Sequence, residues 1–398
     1  MELIVDSLGP PATARKVEIV ERKGLGHPDT ICDSVAATIG LALCRHYRER
    51  FGAILHHNVD KALLAAGTSR AAFRGGRVIS PIELFVAGRA TREVDGDLVP
   101  VEELATGACR RWLRTNLHAL DERQHVRVTS LIKPGSPDLV QLYRRGAAGG
   151  ALLANDTSIG VGHAPLSPLE RAVLAVSERL REVAHGEWPE VGEDTKVMAV
   201  RVGERVRLTV ACAFVGHHLA DMEQYLERRE RVRAMCAATA GAILHGEVAV
   251  EVNAGDEPAR GSVFLTVTGT SAESGDDGEV GRGNRVSGLI TPYHPMTLEA
   301  AAGKNPVTHV GLLYNVVARR IAAAVVEHVT GVDEAHCFLV SRIGQPISEP
   351  EVANVRIAGA FGPPTPEVAA RIEEIARDQL AHIGRITDAI VDGTIPLC

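Results

Sequence analysis

A stretch rich in glycine, acidic residues and arginine has the residue types of a metal and phosphate site. Residues 275–285, GDDGEVGRGNR, place three acids, among them Asp276 and Asp277, beside Arg282 and a second arginine. Glycine lets backbone N–H groups approach a ligand closely, carboxylates bind hard divalent cations, and guanidinium groups bind phosphate oxygens. The pattern favours a site for a metal ion and a polyphosphate, with a solvated hairpin loop as the alternative.

A second glycine-containing turn leads into a predicted helix. Residues 24–29 read GLGHPD, and Pro28 suits the first turn of a helix, whose N-terminus attracts anions. Asp29 and Asp33 are four residues apart, so both face one side of that helix, and Asp29 is a candidate metal ligand. His27 lies just outside the helix and is a candidate hydrogen-bond donor to an anionic or ether oxygen. The alternative is that Asp29 only complements the helix dipole and His27 packs in the turn.

Two lysines are candidates for binding phosphate. Lys304 comes just before a predicted helix in the segment 303–306, GKNP, and Lys196 lies in the segment 192–197, GEDTKV. A Walker A loop is excluded because asparagine follows the Gly-Lys pair. Taken alone, Lys304 is more typical of a surface lysine at a helix start, and Lys196 is ambiguous.

Length, charge and motif content exclude several function classes. The chain has 398 residues, enough for two or three units of about 150 residues. Its net charge is −7 and its aromatic content 4%, so the basic surface and stacking aromatics of a nucleic-acid-binding protein are lacking. No H-E-x-x-H, G-x-S-x-G or strand-linked G-x-G-x-x-G motif occurs, which disfavours zinc hydrolases, serine hydrolases and Rossmann units.

The cysteines and the N-terminus indicate the compartment. The seven cysteines are scattered, with no zinc-ligand spacing, and are typical of reduced structural thiols. No leader sequence or long apolar stretch is evident. We therefore expect a cytoplasmic protein that binds neither a membrane nor nucleic acid.

Hydrophobic periodicity predicts the elements that must position these residues. Four helices are predicted: from Pro28 to about Arg50, from the capping box at Ser167, after Asn305-Pro306 to about Val329, and from Thr365 to Val391. Runs of β-branched residues predict strands over 206–215, 248–252 and 262–268. Because strands and helices do not alternate regularly, we expect an α+β fold with helices covering mixed β-sheets.

Five segments in register resemble the archaeal-type S-adenosylmethionine synthetases. They are ERKGLGHPDTICD (21–33), LANDTSIGVG (153–162), VGEDTKVM (191–198), GTSAESGDDG (269–278) and GKNPV (303–307). The resemblance covers essentially the whole chain, and several long motifs in one order are more specific than any single loop. It favours the metal and phosphate interpretation of these loops over the structural alternatives.

The resemblance implies a fold, an assembly and a reaction. The fold has three related α/β subdomains in a pseudo-threefold arrangement. They correspond approximately to residues 1–125, 126–255 and 256–398, and interleaving of their strands along the chain is left open. The assembly is a homodimer with active sites at the subunit interface, with a dimer of dimers left open. The reaction joins ATP and L-methionine into S-adenosylmethionine and then cleaves tripolyphosphate to pyrophosphate and phosphate, with Mg²⁺ required and K⁺ often activating.

The resemblance also implies roles for individual residues. The methionine sulfur attacks the ribose C5′, and His27 donates to the C5′ oxygen as its bond breaks. Mg²⁺ is held by Asp29 and one of Asp276 or Asp277. The positive charge around the triphosphate comes from the catalytic residues Lys196, Arg282 and Lys304. The residues that contact the nucleotide are Gly135, Ser136, Asp138, Asp156 and Asp277.

Three segments depart from the family pattern. Lys133 replaces the first glycine of the block G-x-G-S-x-D, a glycine-rich segment introduces Arg70 and Arg74, and Ser287 and His294 stand where asparagine and arginine are expected. Because histidine is largely neutral at pH 7, we expect position 294 to have lost an arginine contact with a polyanion.

These departures leave alternatives to an active methionine adenosyltransferase. One is a catalytically altered homologue that binds nucleotide as a regulatory or structural subunit. Another is a synthetase whose preference has shifted to a methionine analogue or a modified nucleotide. A Mg²⁺-dependent kinase is a weaker alternative.

Overall fold

The computed structural model describes residues 1–149, 152–359, 363–395 and 397. Within them the α-helices are α1 (Pro28–Phe51), α2 (Val101–Asn116), α3 (Pro137–Gly149), α4 (Pro168–His185), α5 (Met222–Leu244), α6 (Val310–His328), α7 (Pro366–Ala381) and α8 (Gly384–Val391). The strands in the first half of the chain are β1 (Glu2–Ser7), β2 (Val17–Lys23), β3 (His57–Ala65), β4 (Thr68–Ala72), β5 (Gly75–Ser80), β6 (Ile82–Ala90), β7 (Glu93–Val94), β8 (Asp97–Leu98), β9 (Val126–Lys133) and β10 (Ile159–Ala164). The remaining strands are β11 (Val191–Val202), β12 (Arg205–Val215), β13 (Ala249–Val252), β14 (Leu265–Thr266), β15 (Gly278–Glu279), β16 (Val332–Val340) and β17 (Val352–Gly359).

Three mixed sheets form the framework, and they share one pattern of pairing. Sheet I has the order β15-β3-β6-β9, sheet II the order β13-β12-β11-β2 with β14 added beside β12, and sheet III the order β1-β17-β16-β10. In each sheet the two central strands are antiparallel, one outer strand is parallel to its neighbour and the other is antiparallel. Each sheet combines strands from distant parts of the chain. Three consecutive segments of the sequence therefore do not correspond to the three sheets.

Pairs of helices cover the sheets and bury the core. Helices α1 and α2 pack on sheet I, α4 and α5 on sheet II, and α6 and α7 on sheet III. On α1 the side chains of Ile31, Val35, Ile39 and Leu43 are at most 1% exposed, as their four-residue spacing predicts. Each such side chain contributes about 1.5–3 kcal/mol on burial, so this apolar stripe holds the helix against the sheet.

The predicted α+β class and two of the predicted helices are confirmed. Helix α1 runs from Pro28 to Phe51, and α4 begins at a complete capping box between Ser167 and Glu170. The predicted strand over 206–215 is β12, and β13 covers most of 248–252.

Three predicted elements were wrong in extent. Helix α6 begins at Val310 rather than after Pro306, because Oδ1 of Asn305 accepts a hydrogen bond from the Val307 N–H and makes a turn there. The C-terminal helix is divided into α7 and α8, with the second beginning at Gly384. Of residues 262–268 only Leu265–Thr266 form a strand, since the next two N–H groups donate to the Glu273 carboxylate instead.

Six cysteines lie in the described residues, and all six are buried and free of disulfides. The seventh, Cys398, lies outside the described residues. None of the described helices is long and apolar enough to cross a membrane.

Candidate functional site

The end of β2 and the start of α1 position His27 and Asp29. Strand β2 pairs with β11 so that Lys23 lies opposite Lys196. The turn that follows packs directly on β11, where a Cβ on Gly26 would lie 2.4 Å from the backbone nitrogen of Asp194. Only glycine fits this approach, which explains the glycine turn without requiring a phosphate.

His27 is the N-cap of α1, and its hydrogen bonding assigns its tautomer. Its Nδ1 accepts a hydrogen bond from the backbone N–H of Asp29 at 3.2 Å. Burial, reinforced by the positive charge of Lys23, lowers the pKa of His27 to about 4. The imidazole is therefore neutral at pH 7 with its proton on Nε2, which makes Nε2–H a hydrogen-bond donor.

The two carboxylates of α1 face the same glycine-rich loop, as their spacing predicts. Oδ1 of Asp29 accepts from the N–H of Glu279, and Oδ1 of Asp33 accepts from the N–H of Gly281, both at 2.9 Å. Burial raises the pKa of Asp33 to about 6, although hydrogen bonds from the N–H groups of Gly281 and Gly283 act in the opposite direction. Burial also acts on Asp29, but hydrogen bonds from Lys23 and the Glu279 N–H outweigh it and hold its pKa below the ordinary value.

Lys23 is a site residue that the sequence analysis did not single out. Its Nζ donates to Oδ2 of Asp29 at 2.9 Å and to the carbonyl of Arg282 at 2.7 Å. Lys196, opposite it on β11, lies 3.5 Å from the carboxylate of Glu21 and is 41% exposed. Arg282 is also exposed. The only signal for Lys23 was its place in the segment 21–33, since nothing in its spacing distinguishes it from a surface lysine.

The two aspartates of the glycine-rich loop have different surroundings. Asp276 accepts a hydrogen bond from Ser271 Oγ at 2.9 Å and lies near enough to His27 to raise the pKa of that imidazole. Asp277 instead accepts from the backbone N–H of Ala66 at 2.8 Å. Both are exposed. Of these two aspartates, Asp276 is therefore the one whose charge acts on His27.

Asp194 is a second residue that the sequence analysis missed. Its Oδ2 accepts hydrogen bonds from the N–H of Ser271 at 2.8 Å and from its hydroxyl at 2.5 Å. Burial raises the pKa of Asp194 to about 7, and the charge of Asp276 adds to the rise. A buried carboxyl that titrates near neutral pH beside exposed carboxylates is typical of a functional site.

We call the residues around this point the His27 group: Lys23, His27, Asp29, Asp194, Lys196, Asp276 and Arg282. A cavity of about 310 Å³ adjoins it and is lined by Lys23, Gly24, Thr195 and Asn284, among others. Cations, carboxylates and a neutral donor imidazole converge there. Cationic side chains and carboxylates are the residue types that bind polyphosphates and divalent cations.

Lys304 belongs to a separate group of charged residues. It is 5% exposed and forms an ion pair with Glu299, so it is not the surface lysine that its motif alone suggested. Burial lowers the pKa of Lys304 to about 8, while Asp60 and Asp156 oppose that shift. Within the described residues, its hydrogen bonds and ion pairs do not join it to the His27 group.

The predicted nucleotide-binding block leads into α3. Gly135 lies against His56, where a Cβ would come within 2.9 Å of the imidazole, while Ser136 and Asp138 are exposed. Asp156 is exposed as well, and its Oδ1 accepts from the N–H of Thr157. Asp156 lies close enough to Lys304 for its charge to oppose the lowering of the Lys304 pKa by burial. His56, which packs against Gly135, and Lys304 both add to the effect of burial in lowering the pKa of His309.

The expectation for His294 was wrong. Its imidazole is buried between two carboxylates, with Nδ1 2.7 Å from Glu170 and Nε2 3.6 Å from Glu334. Burial lowers its pKa, but the two glutamates outweigh burial and raise it to about 9. His294 is therefore charged at pH 7 and its partners are carboxylates, not a polyanionic ligand.

The other departures lie at exposed positions or make only local contacts. Arg74 has a left-handed backbone with φ of 66°, which glycine adopts more easily, and its guanidinium donates to the Ala220 carbonyl. Arg70 lies exposed on β4, and Lys133 is exposed at the end of β9. Ser287 Oγ lies 3.4 Å from the carbonyl of Leu289.

Comparison with known proteins gives long matches. A family model described as S-adenosylmethionine synthetase (AdoMet synthetase) matches residues 3–394. A probable S-adenosylmethionine synthase of Aquifex aeolicus is 54% identical over 349 residues, 87% of each chain. S-adenosylmethionine synthases of Pyrobaculum aerophilum and Archaeoglobus fulgidus are 47% and 42% identical over 97% of this chain, and over 97% and 96% of theirs. These matches extend over both groups of charged residues.

Proposed function

The chain belongs to the S-adenosylmethionine synthetase family and is a methionine adenosyltransferase, and we propose that its reaction centre is the His27 group. The observation that carries this proposal is the tautomer of His27. Its neutral ring presents an Nε2–H donor beside the carboxylates and cations that a metal-bound triphosphate requires.

The chemistry needs little more than alignment and charge stabilisation. The methionine sulfur attacks the ribose C5′ in line, the C5′–O bond breaks, and tripolyphosphate leaves with the bonding electrons. Negative charge grows on the departing oxygen, to which His27 Nε2–H donates a hydrogen bond. Lys23, Lys196 and Arg282 provide positive charge for the released tripolyphosphate.

The carboxylates present fit Mg²⁺. Mg²⁺ prefers one or two carboxylates together with substrate phosphates and waters, and Asp29 and Asp276 offer that donor set next to cationic side chains. Asp276 rather than Asp277 is proposed as the second ligand, because the charge of Asp276 acts on His27, whereas Asp277 is directed at the Ala66 N–H. When bound, Mg²⁺ supplies Lewis acidity for tripolyphosphate hydrolysis. Activation by K⁺ is proposed from the family resemblance alone.

Two separate groups of predicted site residues on one chain support a dimeric site. We call Lys304, Asp156 and the segment around Gly135 the Lys304 group. This group is proposed to face the His27 group of a second copy in a homodimer. The common pairing pattern of the three sheets likewise supports three related subdomains around a pseudo-threefold axis. A dimer of dimers and a cytoplasmic location also remain proposals.

An enzyme assay tests the proposed reaction centre. The purified protein is incubated with ATP, L-methionine, Mg²⁺ and K⁺, and S-adenosylmethionine, pyrophosphate and phosphate are measured by mass spectrometry and phosphate assay. We expect all three products from the wild type and little S-adenosylmethionine from His27→Ala. Equal product from both proteins would remove His27 from the reaction centre, and ATP binding without turnover would favour the regulatory homologue.

Competition with methionine analogues and modified nucleotides tests whether the preference has shifted. The guanidinium of Arg74 donates a hydrogen bond to the Ala220 carbonyl. We therefore expect Arg74 to leave the substrate site unaltered, and methionine and ATP to be the preferred substrates. Release of ADP with phosphorylation of an added acceptor would instead support the kinase alternative.

A further inference from the structure

A buried cluster of three histidines and two glutamates lies between sheet III and α4. Its members are His163, Glu170, His294, Glu334 and His336, and none is more than 5% exposed. Nothing in the adenosyltransferase reaction uses them. The sequence spacing gives no sign of the cluster, because its members are spread from position 163 to position 336.

The fold brings the five side chains together through strand register. His163 on β10 and His336 on β16 are direct partners in sheet III, and Glu334 lies two residues before His336, on the same face of β16. Glu170 stands in the first turn of α4, where its other oxygen accepts the Ser167 N–H of the capping box. His294 enters from the loop before α6, and its ring stacks on His163 with centroids 4.0 Å apart.

The two nitrogens of His294 have different partners. Nδ1 lies 2.7 Å from Oε1 of Glu170, a short hydrogen bond. Nε2 is buried, has no partner within hydrogen-bond distance among the described residues, and lies 3.6 Å from Oε1 of Glu334. The same oxygen, Oε1 of Glu334, lies 2.8 Å from Nε2 of His336. With Nδ1 directed at Glu170, Nε2 is the ring nitrogen of His294 that faces Glu334 and is available to a metal ion once it is deprotonated.

This is the arrangement of a metal-ligating histidine held by an outer carboxylate. Histidine ligands commonly donate their second N–H to a carboxylate, which fixes the ring and its tautomer. The possible ligand atoms of His294, Glu334 and His336 all lie within 4.8 Å of one another. Ligands of tetrahedral Zn²⁺, at about 2.0–2.1 Å from the metal, stand roughly 3.3 Å apart, so small side-chain movements suffice.

We propose that His294 Nε2, Glu334 and His336 Nε2 form a binding site for a divalent cation of the Zn²⁺ class, with Glu170 as the outer carboxylate that orients His294. Two imidazole nitrogens and one carboxylate suit Zn²⁺ or Co²⁺ and are a poor set for Mg²⁺, which prefers oxygen ligands. Two buried carboxylates balance the two positive charges of the cation when the histidines are neutral. The proposal is independent of the proposed reaction centre.

The proton is the competitor for this site. A histidine ligand must be deprotonated at the nitrogen that binds the metal, so affinity should fall as the pH is lowered. A bound cation would tie the loop that carries His294 to sheet III, so its expected effect is on stability rather than on the adenosyl transfer itself.

Titration with Co²⁺ tests the proposal. The full-length protein is treated with a chelator, dialysed, and titrated with Co²⁺ in excess Mg²⁺, which occupies the carboxylates of the His27 group. We expect one equivalent of Co²⁺ per chain with a visible absorption band, and displacement of that Co²⁺ by Zn²⁺.

Three variants separate the site from its surroundings. His294→Arg keeps a cation between Glu170 and Glu334 and should retain the fold but lose Co²⁺ binding. Glu170→Gln should weaken binding about 10–100-fold. His328→Gln, at an exposed histidine on α6, is the matched control and should bind as the wild type does.

Two results would contradict the proposed metal site. Absence of stoichiometric Co²⁺ uptake by the folded wild type, or uptake unchanged in His294→Arg, would overturn the proposal and leave the cluster as a protonated ion-pair network. If His294→Arg fails to fold by circular dichroism, His336→Gln takes its place in the same comparison.

Discussion

Lys23 Nζ lies 2.9 Å from Oδ2 of Asp29, across the junction between β2 and α1. The contact joins the last residue of one element to the first turn of the next. It holds a buried carboxylate ionised at the position proposed to bind Mg²⁺.

Replacing Lys23 should therefore affect both charge and activity. In Lys23→Met we expect the pKa of Asp29 to rise, the acid limb of kcat/KM to move to higher pH, and the protein to lose about 1–3 kcal/mol of stability. Because the pKa of Asp29 is lowered in the folded state, its stabilising contribution exists above the unfolded pKa and is lost as the pH falls through the folded value. Lys23→Arg should recover part of the activity, and Lys16→Met, at an exposed lysine, should change neither property.

His27 should act as a neutral donor throughout the physiological range. With its pKa near 4, we expect no ionisation of His27 in the rate profile between about pH 5 and pH 8. Loss of the Nε2–H donor in His27→Ala should lower kcat about 10²–10³-fold with little change in the KM for ATP. Steady-state kinetics across pH measure both. A large rise in KM with unchanged kcat would assign His27 to substrate binding instead.

The two loop aspartates should respond differently to substitution. Asp276→Asn should raise the Mg²⁺ concentration needed for half-maximal activity at least about ten-fold, since it removes a charged ligand. Asp277→Asn should leave that concentration nearly unchanged, because Asp277 contacts the Ala66 N–H. Activity measured against Mg²⁺ at saturating ATP makes the comparison. The reverse ranking would make Asp277 the metal ligand.

Asp194 should make stability depend on pH. Its folded pKa of about 7 is raised by burial, so its stabilising contribution is complete below the unfolded pKa and is lost as the pH rises through about 7. We expect denaturant unfolding to show the wild type losing on the order of 2 kcal/mol between about pH 5 and pH 8 through this residue. Asp194→Asn should lose less over the same range. An equal loss in both proteins would show that Asp194 does not titrate there.

The Gly26 turn should not tolerate a side chain. Gly26→Ala places Cβ against the Asp194 backbone, so we expect a loss of about 1–3 kcal/mol and of most activity. The matched control is Gly107→Ala in α2, where the Cβ meets nothing within 4 Å and a gain of about 0.5–1 kcal/mol is expected. Thermal or denaturant unfolding of the two variants gives the comparison.

Local sequence patterns were sufficient to predict helices α1 and α4 and the chemical character of the loops. The four-residue spacing of Ile31, Val35 and Ile39 fixed α1, and the capping box fixed α4, because both signals depend on residues within one helical turn. The same locality placed Asp29 and Asp33 on one face. The family followed from long motifs in a constant order, which the matches over residues 3–394 confirm.

Contacts between distant residues could be seen only in the folded chain. It placed Lys23 on Asp29 and Ser271 on Asp194, buried Lys304 beside Glu299, and gave His294 two glutamates as partners. These contacts depend on strand register between segments far apart in the chain, and a one-residue shift would move every side chain of a strand to the opposite face. Burial and charge then set the pKa values of these groups, so their protonation could not be deduced from residue type alone.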